Sequence, residues 1–196
     1  AEMGVLAPSP VALDLHDFCR SLVETLSRAA GRQGAVELEY SGERTTCLDR
    51  RLLTHVLGNL VENALKYSEP PNGVGLRVAV DGRGVSCVVS DRGLGIPERD
   101  LPHLFDSFYR GQNVGSIAGS GLGLAVAKRA IDVQGGTIEV ESECGRGTTV
   151  SVWLPLGDGA ATSDGRAEQD PQRRGVDTRP AEPAPSSRVR SAFKNA

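Results

Sequence analysis

The 196-residue sequence is short of several things, and each shortage closes off a class of protein. Its four cysteines, Cys19, Cys47, Cys87 and Cys144, stand far apart, and no Cys-x-x-Cys pair offers a metal-ligand spacing. Cys19 and Cys87 have apolar neighbours and read as reduced, structural thiols of a reducing compartment. No apolar run approaches the ~18–20 residues that cross a bilayer. The opening "AEMGVLAPSP" lacks the basic start and apolar stretch of a secretory signal. A cytoplasmic protein, or the soluble cytoplasmic part of a larger, membrane-anchored one, is the expectation. Positive charge is not in excess: the net charge is −3, so nothing electrostatic favours nucleic acid or direct contact with an anionic membrane. What is present, 39% hydrophobic and 24% charged residues, suits one soluble domain with a real core.

The composition changes after Leu156. Residues 157–196 carry Pro171, Pro180, Pro183 and Pro185 among scattered charges, have no apolar periodicity, and read as a disordered tail. Residues 1–13 read as a linker remnant, which leaves 14–156 as the folded unit. Within it, Leu15, Phe18, Leu22, Val23 and Leu26 are spaced as a helix over 14–30. Two short strands follow at 36–40 and 45–48. Asp49 is placed to cap a helix running to about Tyr67. "GLRVAV" and "VSCVVSD" flank a turn as a β-hairpin. A glycine-rich stretch covers 92–121, a helix covers about 122–134 and stops at Gly135-Gly136, and a second hairpin closes the unit. This order predicts an α+β fold: one mostly antiparallel, mixed sheet with helices on one face.

The helix that Asp49 begins has two faces. Leu52, Leu53, Val56, Leu57, Leu60, Val61, Ala64 and Leu65 make an apolar stripe. His55, Asn59, Asn63, Lys66 and Tyr67 fall on a second face. Asn is a mediocre helix former because its amide competes with the backbone, so a merely solvated face would be better made of Lys and Glu. An amide oxygen is a hard neutral ligand suited to Mg²⁺, a lysine meets phosphate as a point charge, and an aromatic ring can cover a base. These residues together suit a magnesium–nucleotide.

Two glycine-rich segments point the same way. In "DRGLGIP" (91–97), Asp91 ends a strand and could accept from an adenine amino group, with Gly93 and Gly95 permitting close backbone approach. The same pattern is also an ordinary turn. In "GSGLGLAVAKR" (119–129), Gly119, Gly121 and Gly123 lead into a helix, whose free N–H groups and dipole suit phosphate. No Gly-Lys-Ser/Thr follows, so this is not a Walker loop.

Taken in order, "NLVENALKYS" (59–68), "DRGLGIP", "LFDSFYRG", "GSGLGLAVAKR" and "GRGTT" resemble the N box, first glycine box, F box, second glycine box and last glycine motif of sensor histidine kinases. The resemblance covers about residues 50–154. It implies the two-layer α/β sandwich (Bergerat-type) that this family shares with DNA gyrase, the Hsp90 chaperones and MutL. It further implies that Asn63 ligates Mg²⁺ with Asn59 one turn earlier, that Lys66 touches phosphate, and that Tyr67 lies along the adenine of ATP. Asp91 would bind the adenine amino group with Thr148 helping through water, over a floor shaped by Gly93 and Gly95. Arg110 would be a phosphate ligand. Residues 111–120 would form a mobile lid, and Gly119, Gly121, Leu122 and Gly123 would meet the phosphates. Gyrase-like ATPases carry a general-base Glu at the place of Asn59; an amide cannot take a proton, so slow hydrolysis and transfer to a histidine are implied instead.

The acceptor histidine is not apparent. His16, in "LHDFCR", is followed by neither the proline nor the second helix of the family's acceptor hairpin, and reads as an exposed helix residue. His103 reads as a surface residue, and His55 as structural or rim-lining. The implied partners are a separate dimerisation and acceptor domain and a response regulator. Two other readings fit the motifs: an ATP-binding regulatory module that transfers nothing, and an anti-sigma-type serine kinase.

Overall fold

A computed structural model of the chain describes residues 7–71, 73–115, 117, 119–156 and 191–193. Among these residues, three helices and eight strands follow in the order β1 (Val11–Asp14), α1 (Leu15–Ala29), β2 (Val36–Ser41), β3 (Thr45–Leu48), α2 (Arg50–Tyr67), β4 (Val74–Val80), β5 (Gly84–Asp91), α3 (Gly123–Val133), β6 (Thr137–Glu143), β7 (Gly147–Pro155) and β8 (Ser191–Phe193). Short 3-10 turns at Glu98–His103 and Gln112–Val114 interrupt the long connection from β5 to α3.

The capping signals act where the sequence puts them. Asp49, 4% exposed, accepts from the N–H of Arg51 at 2.9 Å and of Leu52 at 3.1 Å, which starts α2; such a cap is worth ~1 kcal/mol. Asp14 does the same for α1 through Asp17 N. At the other end of α2, the Arg32 guanidinium donates to the carbonyls of Leu65 (2.6 Å) and Ser68 (2.5 Å). A cation there satisfies orphaned carbonyls and complements the helix dipole.

β2, β4, β5, β7, β6 and β8 form one sheet in that order. Strand residues alternate: Leu76, Val78, Val85, Cys87, Val89, Ile138, Val152 and Leu154 are buried towards the helices, whereas Arg77, Ser86, Glu139 and Trp153 face away. The apolar stripe of α2 closes the core, with Leu52, Leu53, Val56, Leu57 and Val61 at 0% exposure. Each such side chain contributes ~1.5–3 kcal/mol by leaving water. All four cysteines are free. Burial pushes the Cys19 thiol up to about 12 and raises that of Cys87 as well, which leaves both protonated and inert.

The expected two-layer sandwich with its mixed, mostly antiparallel sheet is present: β2 and β4 run parallel, Val36 opposite Val74, beside antiparallel pairs. Other details depart from the expectation. β3 leaves the main sheet and pairs with β1, Val11 opposite Leu48. β1 therefore carries the folded unit back into the segment read as a linker remnant: Leu13 is 8% exposed and belongs to the core. His16 is half-buried rather than exposed, because its ring meets Tyr40 edge-on at 5.2 Å. In the stretch 157–196, read as disordered, β8 alone is among the described residues from 157 on. It adds antiparallel to β6 with Phe193 opposite Ile138, where a bare edge would leave backbone groups unpaired.

Candidate nucleotide site

One face of α2 meets both glycine segments. Asn59 and Asn63 lie half-buried a turn apart. The Asn59 Nδ2 donates to the His55 carbonyl at 2.6 Å. That leaves its Oδ1 directed at the first residue of α3: a Cβ on Gly123 would stand 2.7 Å from it. Two amide oxygens on one face beside a helix N-terminus are a donor set that fits Mg²⁺ held with phosphates. One turn on, the Lys66 Nζ lies 4.8 Å above the Tyr67 ring. It also stands in contact with the place a Gly119 side chain would take. A side chain at 119 would displace the lysine from this position.

Tyr67 continues the site towards the end of β5. Its carbonyl accepts from Leu94 N at 3.1 Å, and the Gly93 backbone presses against that carbonyl too closely for a Cβ. Asp91, at the end of β5, accepts from Gly93 N at 2.8 Å and from the backbone N–H of Thr148 on β7. Burial raises the Asp91 carboxyl above the ordinary carboxylate value, and these two N–H groups oppose the rise. The Ser142 hydroxyl donates to Gly147 O (2.9 Å), so Thr148, 2.9 Å away, donates to Ser142. Ser142 also accepts from Ile96 N at 2.8 Å. Asp91, Thr148 and the 93–96 loop are thus tied through one serine.

The second glycine segment locks onto the F box. Gly121, at φ 72, occupies a left-handed conformation natural to glycine, and its carbonyl accepts from Phe108 N at 3.0 Å. Phe108 itself has φ 68, a strain of ~1–3 kcal/mol for a bulky residue, and holds its ring 73% exposed. Leu122 precedes α3 without capping it through a side chain.

Arg110 is where the arrangement departs from expectation. Its guanidinium does not enter the group made by Asn59, Lys66 and Tyr67. It turns back on its own loop and donates to Ile117 O at 2.5 Å and Gly115 O at 3.4 Å. In the segment 111–120, Ser116 and Ala118 lie outside the described residues. The side chain of Asn113 ties this segment to the first glycine box through Gly95 O at 2.7 Å. Sequence reasoning missed Ser142, Asn113 and Arg32. None lies in a motif; each is placed by strand register or a loop crossing.

A concavity of about 490 Å³ lies on the outer face of the sheet against Glu37, Glu39, Arg77 and Val88, and reaches Asp91 at the end of β5. The Lys66 side chain lies between α2 and the loop at Gly119.

Residues 48–158 match the family model described as histidine kinase-, DNA gyrase B- and HSP90-like ATPase. The circadian input-output histidine kinase CikA of Synechococcus elongatus is 40% identical over 109 residues, 55% of this chain and 14% of that protein. The sensor histidine kinase Hik2 of Thermosynechococcus vestitus is 39% identical over 156 residues, 76% of this chain and 40% of that one. Among solved structures, the mycobacterial sensor histidine kinase MprB superposes with a TM-score of 0.64 at 28% identity, covering 76% of this chain and 98% of the other. Full-length ShkA in complex with AMPPNP gives 0.63 at 31% identity over 80% of this chain and 32% of that one. The chain spans well under half the length of these curated kinases.

Proposed function

The chain belongs to the histidine kinase-, DNA gyrase B- and HSP90-like ATPase family, and from that premise we propose that it acts as the ATP-binding catalytic domain of a two-component sensor kinase, over residues 14–156. Its substrate is ATP, and it passes the terminal phosphoryl group to a histidine on a separate dimerisation and acceptor domain, from which a response regulator takes it. One observation carries the reading: Asn59, Lys66 and Tyr67, on one face of α2, lie against Gly123, Gly119 and Gly93 respectively. A base site and a phosphate site sit at the two ends of that contact.

Asp91, held by Gly93 and Thr148, offers a carboxylate oxygen to the adenine amino group, and Tyr67 covers the base. Lys66 and the free N–H groups at the start of α3 take the phosphates. Asn59 and Asn63 are the residues to hold Mg²⁺, which when bound neutralises phosphate charge. Arg110 reaches phosphate only after giving up its bonds to Ile117 and Gly115, and a charge-assisted bond to phosphate is the stronger one. Asn59 cannot accept a proton, and Glu62 is exposed. The site therefore lacks a base to activate water and depends on positioning a nucleophile that needs none, a neutral imidazole. None of His16, His55 and His103 lies in an acceptor motif. A cytoplasmic location, with any membrane anchor elsewhere in the parent protein, agrees with an ATP substrate.

The test uses this chain, ATP·Mg²⁺ and the acceptor hairpin of its parent kinase, made separately. The hairpin should acquire an acid-labile phosphoryl group and the chain alone should not. Steady-state hydrolysis near the typical enzyme rate of ~10 s⁻¹ would replace the kinase reading with an ATPase one. An acid-stable label on a serine protein would favour the serine-kinase branch.

A further inference from the structure

Asp100 is a buried carboxylate that the site described above does not use. It is 2% exposed and belongs to the 3-10 turn Glu98–His103. The other buried carboxylate among the described residues, Asp49, is explained as the cap of α2. A buried carboxylate is costly unless it is hydrogen-bonded, so its partners say what it is for. Its Oδ2 accepts from Gln112 N at 3.2 Å, and the Tyr109 hydroxyl faces the same carboxylate. Arg99 stands 3.7 Å from Oδ1, with its own side chain 67% exposed. Between the two contacts the chain passes so near that a Cβ on Gly111 would lie 3.1 Å from Oδ2. Apart from the adjacent Arg99, these contacts lie within residues 109–112, and Arg110 is the residue bracketed.

We propose that Asp100 is a positioning residue: it anchors the root of the 111–120 segment and so fixes where Arg110 leaves the protein surface to meet phosphate. This rests on the nucleotide site proposed above. Tyr109 faces it with its hydroxyl and Gln112 is held from its backbone, so the Arg110 Cα has little freedom even when its guanidinium exchanges loop carbonyls for phosphate. Beyond the root, the side-chain ties of the loop among the described residues are Asn113 on Gly95 and Arg110 itself. Without Asp100, the second of these would have to hold both loop and ligand.

Two variants of the full chain separate this role from mere packing. Asp100→Ala removes both contacts; Asp100→Asn keeps an oxygen to accept from Gln112 N. In the nucleotide-free protein, Asp100→Ala should speed amide exchange at 109–114 about tenfold or more, leaving β4 and β5 as slow as before. ATP·Mg²⁺ affinity should fall about tenfold (~1.4 kcal/mol) while AMP, which lacks the outer phosphates, stays within about threefold. Asp100→Asn should recover most of both effects. Equal losses for ATP and AMP together with faster exchange in β4 and β5 would make Asp100 a packing residue and overturn the proposal. Unchanged exchange at 109–114 in Asp100→Ala overturns it whatever happens to binding. A wild-type chain that binds no ATP would instead sink the nucleotide site, an outcome the exchange measurement tells apart.

Discussion

Lys66 and Gly119 touch. The ammonium of the one stands where a side chain on the other would have to be, although the two lie in different motifs on a helix and a distant loop. Lys66 therefore lies between the glycine loop and the Tyr67 ring.

Gly119→Ala follows from that contact. A methyl there meets the far end of a flexible side chain, which can move aside, so stability should change by no more than ~0.5 kcal/mol. On the proposed reading, the methyl would still stand where Lys66 meets phosphate. Calorimetry should find ATP affinity reduced and thermal unfolding nearly unchanged. Full retention of affinity would show that Lys66 and Gly119 are neighbours without a shared ligand.

Asp91→Asn should separate binding from stability. An amide presents a donor to the adenine amino group as readily as an acceptor, and a mismatched buried partner costs ~1–3 kcal/mol of affinity. The empty domain should not suffer. Burial raises the folded pKa of Asp91 above its unfolded value, so the native state binds the proton more tightly, and stability falls as pH rises from about 3.8 through the raised value. At neutral pH the ionised wild type bears that penalty in full and the amide does not. Melting curves at pH 7 should place the variant level with wild type or above it, and the difference should vanish on acidification towards pH 4. A variant less stable at pH 7 than at pH 4, relative to wild type, would reverse the sign argued here.

Gly58 sits buried in the middle of α2, and an added Cβ would meet nothing within 4 Å. A helix-interior glycine costs ~0.5–1 kcal/mol relative to alanine. Gly58→Ala should raise stability by about that amount in urea unfolding without altering ATP affinity. A loss of stability would mean that α2 needs the missing side chain for its packing.

Arg110→Lys keeps the charge but loses the planar fork that reaches two carbonyls. Hydrogen exchange in 111–120 should quicken in the empty variant. ATP should slow it again, though less than in wild type, where the guanidinium can leave the loop for phosphate. Equal exchange in the two empty proteins would remove Arg110 as a tie of the loop.

Much of the secondary structure, and the face that carries the candidate site, were legible in the sequence by itself. Asp49 was readable as a cap because capping is a local matter of one side chain and the next few N–H groups. The strands of β4, β5, β6 and β7 were readable because period-two burial and short turns are local too. The amides, lysine and tyrosine on α2 were legible because helical spacing alone puts them on one face. Tertiary structure decided whatever depends on which distant segments meet. No local rule tells β2 to run parallel to β4, or sends β3 to pair with β1 and draw Leu13 into the core. Nor could spacing show that Arg110 folds back on Ile117, that Ser142 ties Asp91's neighbour Thr148 to Ile96, or that Asp100 lies inside the turn that Tyr109 and Gln112 make around it. Those contacts join residues whose separation along the chain is bridged by packing, and packing is set by the whole core at once.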